Sequence, residues 1–269
     1  MQRIGMRAED VAWTLLQSEE NVEPLIALKK KTGLEGDEVE RLLLWHAARH
    51  SLPNVVSLPV DNSVKHRLEQ DLGQLHAAKV SVLAGTYHFN RAARIATLRR
   101  FPAGPMEWEL SGIPRSYFLR AAFPANLRLL AFVVSRLGGR APCFFMHVAP
   151  APRSRALSVP KEVLRSYYRM VRSLELQPDV RALLAHAWFH DPAAVRDYPQ
   201  LEVLNRPYKD HGGLITLLGP APPSSGVLEG NAQRSADYLA GKVRYQYGFA
   251  IWPRDAAIRW ADANPELGD

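Results

Sequence analysis

Residues 142–148, PCFFMHV, decide the fold, because a short and largely apolar run is typical of a strand buried on both faces of a sheet. Residues 158–176, SVPKEVLRSYYRMVRSLEL, follow as a clear amphipathic helix. Its apolar stripe consists of Val163, Tyr167, Met170 and Leu174. Residues 182–191, ALLAHAWFHD, then favour a second strand. A strand, a connecting helix and another strand make a βαβ unit, so the sequence predicts a parallel strand pair.

The regions around this unit predict an α/β (or α+β) fold. Residues 1–60 have the pattern of a helical segment, and residues 61–269 that of an α/β main domain with a mixed sheet and flanking helices. Whether the helical segment packs on the main domain or forms a separate module stays open. Further strands are expected within residues 80–89, 94–111, 212–219 and 244–253, and a short helix at the C-terminal end.

Length and composition exclude several classes of protein. With 269 residues and 47% apolar content, the chain can bury a substantial core. The stretch MQRIGMRAEDVAW carries charges where a signal peptide needs an apolar core, and no run approaches the roughly 18 apolar residues of a membrane span. We therefore expect a cytoplasmic protein without a membrane partner. The single cysteine, Cys143, lies in an apolar setting that predicts a buried side chain.

The net charge of +7 is concentrated in the middle of the chain. Residues 1–60 contain 7 basic and 9 acidic side chains, residues 61–176 contain 18 and 7, and residues 177–269 contain 9 and 11. Most of the basic side chains in the middle are arginines, whose planar guanidinium groups bind phosphate and carboxylate well. The pattern indicates an anionic ligand or an acidic partner, although a GC-rich genome produces a similar composition.

A nucleic-acid partner is not favoured by the early helices. The turn TGLEGD, residues 32–37, suggests a helix-turn-helix unit. Its second helix opens with four acidic residues, which DNA phosphates would repel. These residues are Glu35, Asp37, Glu38 and Glu40.

The two histidines of ALLAHAWFHD raise the question of a metal site. In a helix, His186 and His190 would lie one turn apart and could share a zinc or iron ion with Asp191. In a strand they would lie about 13 Å apart, too far for one ion. Val180, Trp188 and Phe189 favour the strand, and the glutamate of an HExxH motif is missing.

Strand placement suggests a catalytic use instead. In an open α/β sheet, functional groups collect just beyond the carboxyl ends of the strands. His147 closes the first strand, and His190 with Asp191 follows the second. A histidine at such a position can act as a general base near neutral pH. The alternatives are that His147 packs under the following loop and that Asp191 caps the helix beginning at Pro192.

The loop after His147 is the candidate anion site. Arg153 and Arg155 lie immediately before the long helix, and Arg165 lies within it, so guanidinium groups and free backbone N–H groups could converge on a phosphate or carboxylate. The alternative is an exposed basic connector. No GxGxxG, GxxxxGK[ST] or GxSxG motif occurs, which argues against a Rossmann dinucleotide enzyme, a P-loop NTPase and an α/β-hydrolase.

Three functions are compatible with these patterns. The first is a transferase acting on an anionic substrate, for example acyl-CoA or an acyl carrier protein, with the Arg153 and Arg155 loop holding phosphate. The second is a metal-dependent enzyme using His186, His190 and Asp191. The third is a non-enzymatic protein that binds an acidic partner or nucleic acid through its arginine-rich middle. The order of strands and helices over residues 79–252 resembles that of the acyl-CoA N-acyltransferase superfamily, but the loop APAPRSRALSVP has none of the glycines of that superfamily's pyrophosphate loop.

Overall fold

A computed structural model describes residues 8–16, 22–34, 36–75, 81–150, 153–228 and 231–268. The chain forms two compact units that meet between Pro102 and Ala103. The first unit includes two helices that follow residue 60, the end of the helical segment expected from the sequence. The predicted fold class, an N-terminal helical segment followed by a mixed sheet with flanking helices, is confirmed.

The first unit consists mainly of helices and ends in a short strand. Its elements are α1 (Ala8–Leu16), α2 (Val22–Thr32), α3 (Glu38–Ser51), a 3₁₀ helix (Leu52–Ser57), α4 (Asn62–Gln74), α5 (Tyr87–Ala96) and β1 (Arg100–Pro102). Leu44, Val55, Leu68 and Ala96 are fully buried in its core. Burial of such aliphatic side chains supplies the main stabilising free energy of a helical unit.

One prediction for this unit is wrong. In the stretch VSVLAGTYHF, Val80 lies outside the described residues, and residues 81–89 do not form a strand. Thr86 instead caps α5, because its hydroxyl oxygen accepts a hydrogen bond from the Phe89 N–H at 3.2 Å. Phe89 and Ile95 then face the core of the unit.

The second unit contains the βαβ unit expected from the sequence. Its strands and α-helices are β2 (Met106–Ser111), α6 (Arg115–Arg120), α7 (Ala125–Leu137), β3 (Cys143–Val148), α8 (Pro160–Glu175), β4 (Ala182–Ala187), α9 (Pro192–Asp197), α10 (Glu202–Asp210), β5 (Leu214–Pro220), α11 (Ala232–Leu239), β6 (Gln246–Pro253) and α12 (Arg254–Asp262). Short 3₁₀ helices lie at Arg153–Ser158, Trp188–His190, Pro199–Leu201, Pro223–Ser225 and Pro265–Leu267. The strand alternative for ALLAHAWFHD is thus confirmed over Ala182–Ala187.

Within the second unit the strand order is β2-β3-β4-β6-β5. Strands β3 and β4 are parallel, as predicted, and are joined by α8. The β2–β3, β4–β6 and β5–β6 pairs are antiparallel. The single parallel pair in the middle therefore places the carboxyl ends of β3 and β4 side by side.

Helices cover both faces of this sheet. On one face, Tyr117 of α6 and Leu129 of α7 pack in one core with Phe145, Leu184 and Phe249. On the other face, the predicted stripe of α8 is fully buried. These residues are Val163, Tyr167, Met170 and Leu174.

Cys143 has the buried environment that the sequence predicts. Its side chain is buried at the beginning of β3, and burial raises the pKa of the thiol to about 12. The thiol therefore remains protonated at neutral pH.

In the described part of the chain, no helix combines the length and apolar character needed to cross a membrane.

Candidate active site

The two parallel strands at the centre of the sheet are paired over only part of their length. Their register consists of Phe144↔Leu183 and Phe145↔Leu184. By contrast, β3 pairs with β2, and β4 pairs with β6, over six residues each. Pairing between β3 and β4 thus ends three residues before the end of each strand. Among the described residues, 146–148 and 185–187 therefore lack the ladder pairing of the residues before them, and this unpaired part of the two strands is called the opening below.

Polar side chains lie beside this opening on the face covered by α6 and α7. Glu107 of β2 stands opposite His147 of β3, and Glu109 stands opposite Phe145. His186 of β4 is on the same face, because the Phe145 ring contacts the rings of both histidines at centroid distances of 5.4 Å (His147) and 5.0 Å (His186). Two carboxylates and two imidazoles are thereby brought to the carboxyl ends of β3 and β4.

The His147 ring lies against a neighbouring carboxylate. Its Nε2 lies 3.3 Å from Oε1 of Glu109, a distance within ion-pair range but without the alignment of a good hydrogen bond. The His147 side chain is about one quarter exposed. It is therefore accessible to a ligand while Glu109 restricts its ring orientation, and a general base needs both properties.

Glu107 is the most buried acid of the cluster. Its side chain is completely inaccessible, and Nη1 of Arg153 lies 4.0 Å from its Oε1. A buried carboxylate needs a compensating charge, and Arg153 supplies part of it for Glu107. The Arg153 charge is therefore only partly available to a ligand.

His186 lies in an aromatic environment. Its Nδ1 is hydrogen bonded to the Tyr117 hydroxyl, and its ring contacts Tyr247 at a centroid distance of 4.5 Å. Burial lowers the pKa of His186 to about 4. The imidazole is therefore neutral at pH 7 and shares one hydrogen bond with the Tyr117 hydroxyl. Burial also raises the pKa of Tyr247, which keeps that hydroxyl protonated.

The environment of His190 favours a packing role. The side chain is 2% exposed, and Nδ1 donates to Oδ1 of Asn205 at 2.7 Å. The Asn205 amide group in turn donates to the Phe189 carbonyl at 2.9 Å. Burial lowers the pKa of His190 to about 4. Gly248 allows the close approach of His190, since a Cβ at position 248 would lie 2.4 Å from the His190 Cβ.

Asp191 caps α9, the role that the sequence suggested as an alternative to a catalytic one. Oδ1 accepts the Ala193 N–H at 2.8 Å, and Oδ2 accepts the Gln246 N–H at 2.6 Å. Both carboxylate oxygens thus hold backbone amides. His190 and Asp191 thus have structural contacts, and a catalytic role for either residue stays a prediction.

The capping role of Asp191 makes a testable prediction. We expect Asp191→Ala to lower the free energy of unfolding by about 1–3 kcal/mol, because two backbone N–H groups lose their acceptor. Catalytic turnover per folded molecule should stay within about twofold of wild type, since Asp191 contacts no reacting group in this account. Urea denaturation monitored by far-UV circular dichroism measures the first effect. A large fall in turnover with unchanged stability would contradict the capping role.

The three arginines predicted to bind an anion have different environments. Arg155 is exposed, Arg153 lies near Glu107, and Arg165 forms an ion pair with Glu162 at 3.1 Å. Residues 151 and 152 of the same loop lie outside the described residues. Arg153 and Arg155 stay candidates because both belong to the 3₁₀ helix that leads from β3 into α8.

The metal alternative lacks a ligand set. In residues 8–16, 22–34, 36–75, 81–150, 153–228 and 231–268, no three His, Cys, Asp or Glu side chains are placed to hold one metal ion. His186 points to the aromatic cluster, His190 is bonded to Asn205, and Asp191 binds backbone amides. The residues proposed as ligands therefore have other partners.

Sequence reasoning missed three residues of this cluster: Glu107, Glu109 and Tyr117. A signal for the two acids is present in MEWELS, where they alternate with apolar residues and so lie on one face of a strand. Tyr117 carries no such signal, because its contact with His186 joins residues 69 positions apart.

Comparisons with known proteins give a likeness in fold. No protein-family model and no curated protein matches the chain. Among solved structures, the chain is similar to an acyltransferase in complex with decanoyl-CoA, with a TM-score of 0.51 and 15% identity over 91% of this chain and 79% of that one.

Two further similar structures have lower scores. One is an acyltransferase in complex with decanoyl-CoA and teicoplanin, with 14% identity, a TM-score of 0.45 and coverage of 80% of this chain and 66% of that one. The other is an acyltransferase in complex with CoA and 10C-teicoplanin, with 12% identity, a TM-score of 0.41 and coverage of 78% and 65%. At such identities the likeness to the first structure establishes a similar fold, and function has to be argued from the site.

Proposed function

We propose that this protein is an acyltransferase that moves an acyl group from a thioester, such as acyl-CoA or an acyl carrier protein, to a nucleophilic acceptor. The observation that carries the proposal is the end of pairing between β3 and β4 directly beside His147 and Glu109. The similarity in fold to an acyltransferase in complex with decanoyl-CoA supports it.

The donor is proposed to lie between the two strand ends. The arm of a CoA or carrier thioester is an extended chain with amide groups, and such a chain can hydrogen bond to a strand edge as an added strand does. Residues 146–148 and 185–187 provide the two edges. A donor placed there brings its thioester next to His147.

His147 is proposed as the general base. When the proton of the neutral imidazole is on Nε2, the nitrogen 3.3 Å from Glu109, the lone pair is on Nδ1, which takes the proton from the acceptor amine or hydroxyl. The acceptor atom attacks the thioester carbonyl and forms a tetrahedral intermediate. When the C–S bond breaks, the thiolate leaves and receives the proton from His147. Glu109 acts as a positioning residue, because it stabilises the protonated imidazole between these steps.

The Arg153 and Arg155 loop is proposed to hold the phosphates of the donor. We expect the Arg153→Ala/Arg155→Ala double variant to raise KM for acyl-CoA by about 10- to 100-fold with little change in kcat, because charge-assisted hydrogen bonds to the phosphates are lost. Arg206→Ala is a matched control on an exposed arginine of α10.

A phosphate-free thioester distinguishes this role from a general loss of folding. With an N-acetylcysteamine thioester of the same acyl group, the double variant should behave like wild type. An equal loss with both donors would assign Arg153 and Arg155 to structure, where the contact between Arg153 and Glu107 is the reason.

Release of free thiol from acyl-CoA in the presence of a panel of amine and hydroxyl acceptors tests the activity itself. Acceptor-dependent thiol release by the wild-type protein is the expected result, with the acylated acceptor identified by mass spectrometry. If neither acyl-CoA nor an acyl carrier protein binds or reacts, the proposal is wrong.

A further inference from the structure

Helices α6 and α7 expose a group of large apolar side chains to solvent. Leu119 is 87% exposed and Phe123 is 78% exposed, while Leu127, Leu130 and Val134 are at least half exposed. These five residues are called the α6–α7 surface below. The last three follow the i, i+3, i+7 spacing of one helix face, although α7 already buries a different stripe at Leu129, Val133 and Leu137. The α6–α7 surface is thus an exposed apolar patch, and patches of this kind are typical of interaction sites.

The chain segment that contains this surface carries only basic charges, although Arg136 of α7 forms an ion pair with Asp255 of α12 at 3.1 Å. Residues 110–161 contain eight Lys and Arg side chains and no Asp or Glu. Arg115, Arg120 and Arg128 are exposed on the two helices, and among the described contacts none of them forms an ion pair. A partner that covers the surface should therefore be both apolar and anionic.

A second copy of this chain does not meet that requirement. In a two-fold symmetric dimer, the same surface packs against itself. The two sets of arginines would then face each other without carboxylates of this segment to compensate them, and like charges across an interface reduce affinity.

We infer that the α6–α7 surface docks on an anionic lipid bilayer. Leu and Phe side chains can enter the boundary between headgroups and acyl chains, while arginine binds the lipid phosphates. Protruding side chains suit a fluid surface better than a preformed protein groove, and Leu119 and Phe123 are almost fully solvent accessible. The helices lie on the membrane and do not span it, in agreement with the lack of a spanning helix among the described residues. The prediction of no membrane partner rested on the lack of a spanning segment in the sequence, which docking on a membrane surface does not need.

Vesicle sedimentation tests this inference without reference to enzymatic activity. The full-length protein is mixed with vesicles of equal parts phosphatidylglycerol and phosphatidylcholine, or with vesicles of phosphatidylcholine alone. We expect binding to the first kind only, weakening as the salt concentration rises.

Two double variants separate the contributions of the surface. Leu119→Gln/Phe123→Gln should weaken binding by roughly 100-fold or more, because two buried apolar side chains are lost. Arg120→Gln/Arg128→Gln should weaken it by about 30-fold and reduce its salt dependence. Leu239→Gln is the matched control, because Leu239 of α11 is 70% exposed and belongs to the same unit.

Several results would overturn the inference. These are no binding to anionic vesicles, equal binding to both kinds of vesicle, or an equal loss in the Leu239→Gln control. A concentration-dependent dimer that Leu119→Gln/Phe123→Gln abolishes would assign the surface to a second copy. Binding of soluble polyglutamate that the same variant abolishes, without vesicle binding, would assign it to an acidic protein.

Discussion

We expect His147→Gln to lower kcat for acyl transfer by about 10²- to 10⁴-fold, while the affinity for acyl-CoA changes little. Glutamine keeps a polar side chain of similar length in β3 but cannot take the proton of the acceptor. The Kd for acyl-CoA should be retained, because the proposed binding mode holds the donor by backbone edges and by the arginine loop. Single-turnover kinetics together with isothermal titration of acyl-CoA measure the two quantities separately.

The variant at the partner acid refines this prediction. Glu109→Gln should lower kcat less than His147→Gln, since the imidazole remains and loses only the carboxylate 3.3 Å from Nε2. His147→Gln should also remove the fall of kcat at low pH. Glu109→Gln should change the pH at which this fall occurs. Replacement of His66, an exposed histidine of α4, is the control. Wild-type turnover in His147→Gln would show that another group is the base.

The second large effect concerns stability at low pH. Burial lowers the pKa of His186 and His190 from 6.5 to about 4. Below pH 6.5 the unfolded chain takes up protons that the folded chain takes up only near pH 4, so the unfolded state binds more protons. The contribution of these two histidines to the free energy of unfolding is therefore fully present above pH 6.5. It falls as the pH decreases toward 4, by about 3 kcal/mol for each histidine.

Urea denaturation at a series of pH values measures this dependence. His186→Phe and His190→Gln should each flatten the fall between pH 6.5 and 4, even where they lower stability at pH 7. His66→Gln is again the control on an exposed histidine. An unchanged slope in both variants would show that other groups cause the acid sensitivity.

The local elements of the second unit could be predicted well from the sequence. Side-chain periodicity and composition, which act within about 20 residues, determine both α8 and β3. They predict the apolar stripe of α8, from Val163 to Leu174, and the apolar strand β3. The stretch VSVLAGTYHF misled the prediction because its β-branched residues precede Thr86, and a helix cap at that position outweighs their strand propensity.

The site could be predicted only in part, because it depends on contacts between distant residues. His147 was placed at a strand end from the sequence, but its partner Glu109 follows from the antiparallel register of β2 and β3. The sequence likewise does not indicate that the Gln246 N–H, 55 residues away, donates a hydrogen bond to Oδ2 of Asp191. Periodicity along the chain contains no information on such pairings.

The central claim is that an acyl-CoA donor lies between the ends of β3 and β4. Amide hydrogen exchange with and without saturating acyl-CoA, with decanoyl-CoA and acetyl-CoA used in parallel, tests it most directly. We predict slower exchange at residues 146–148 and 185–187 when the donor is bound, with no comparable change in β5. Unchanged exchange at both strand ends, or protection confined to other parts of the chain, would contradict the account.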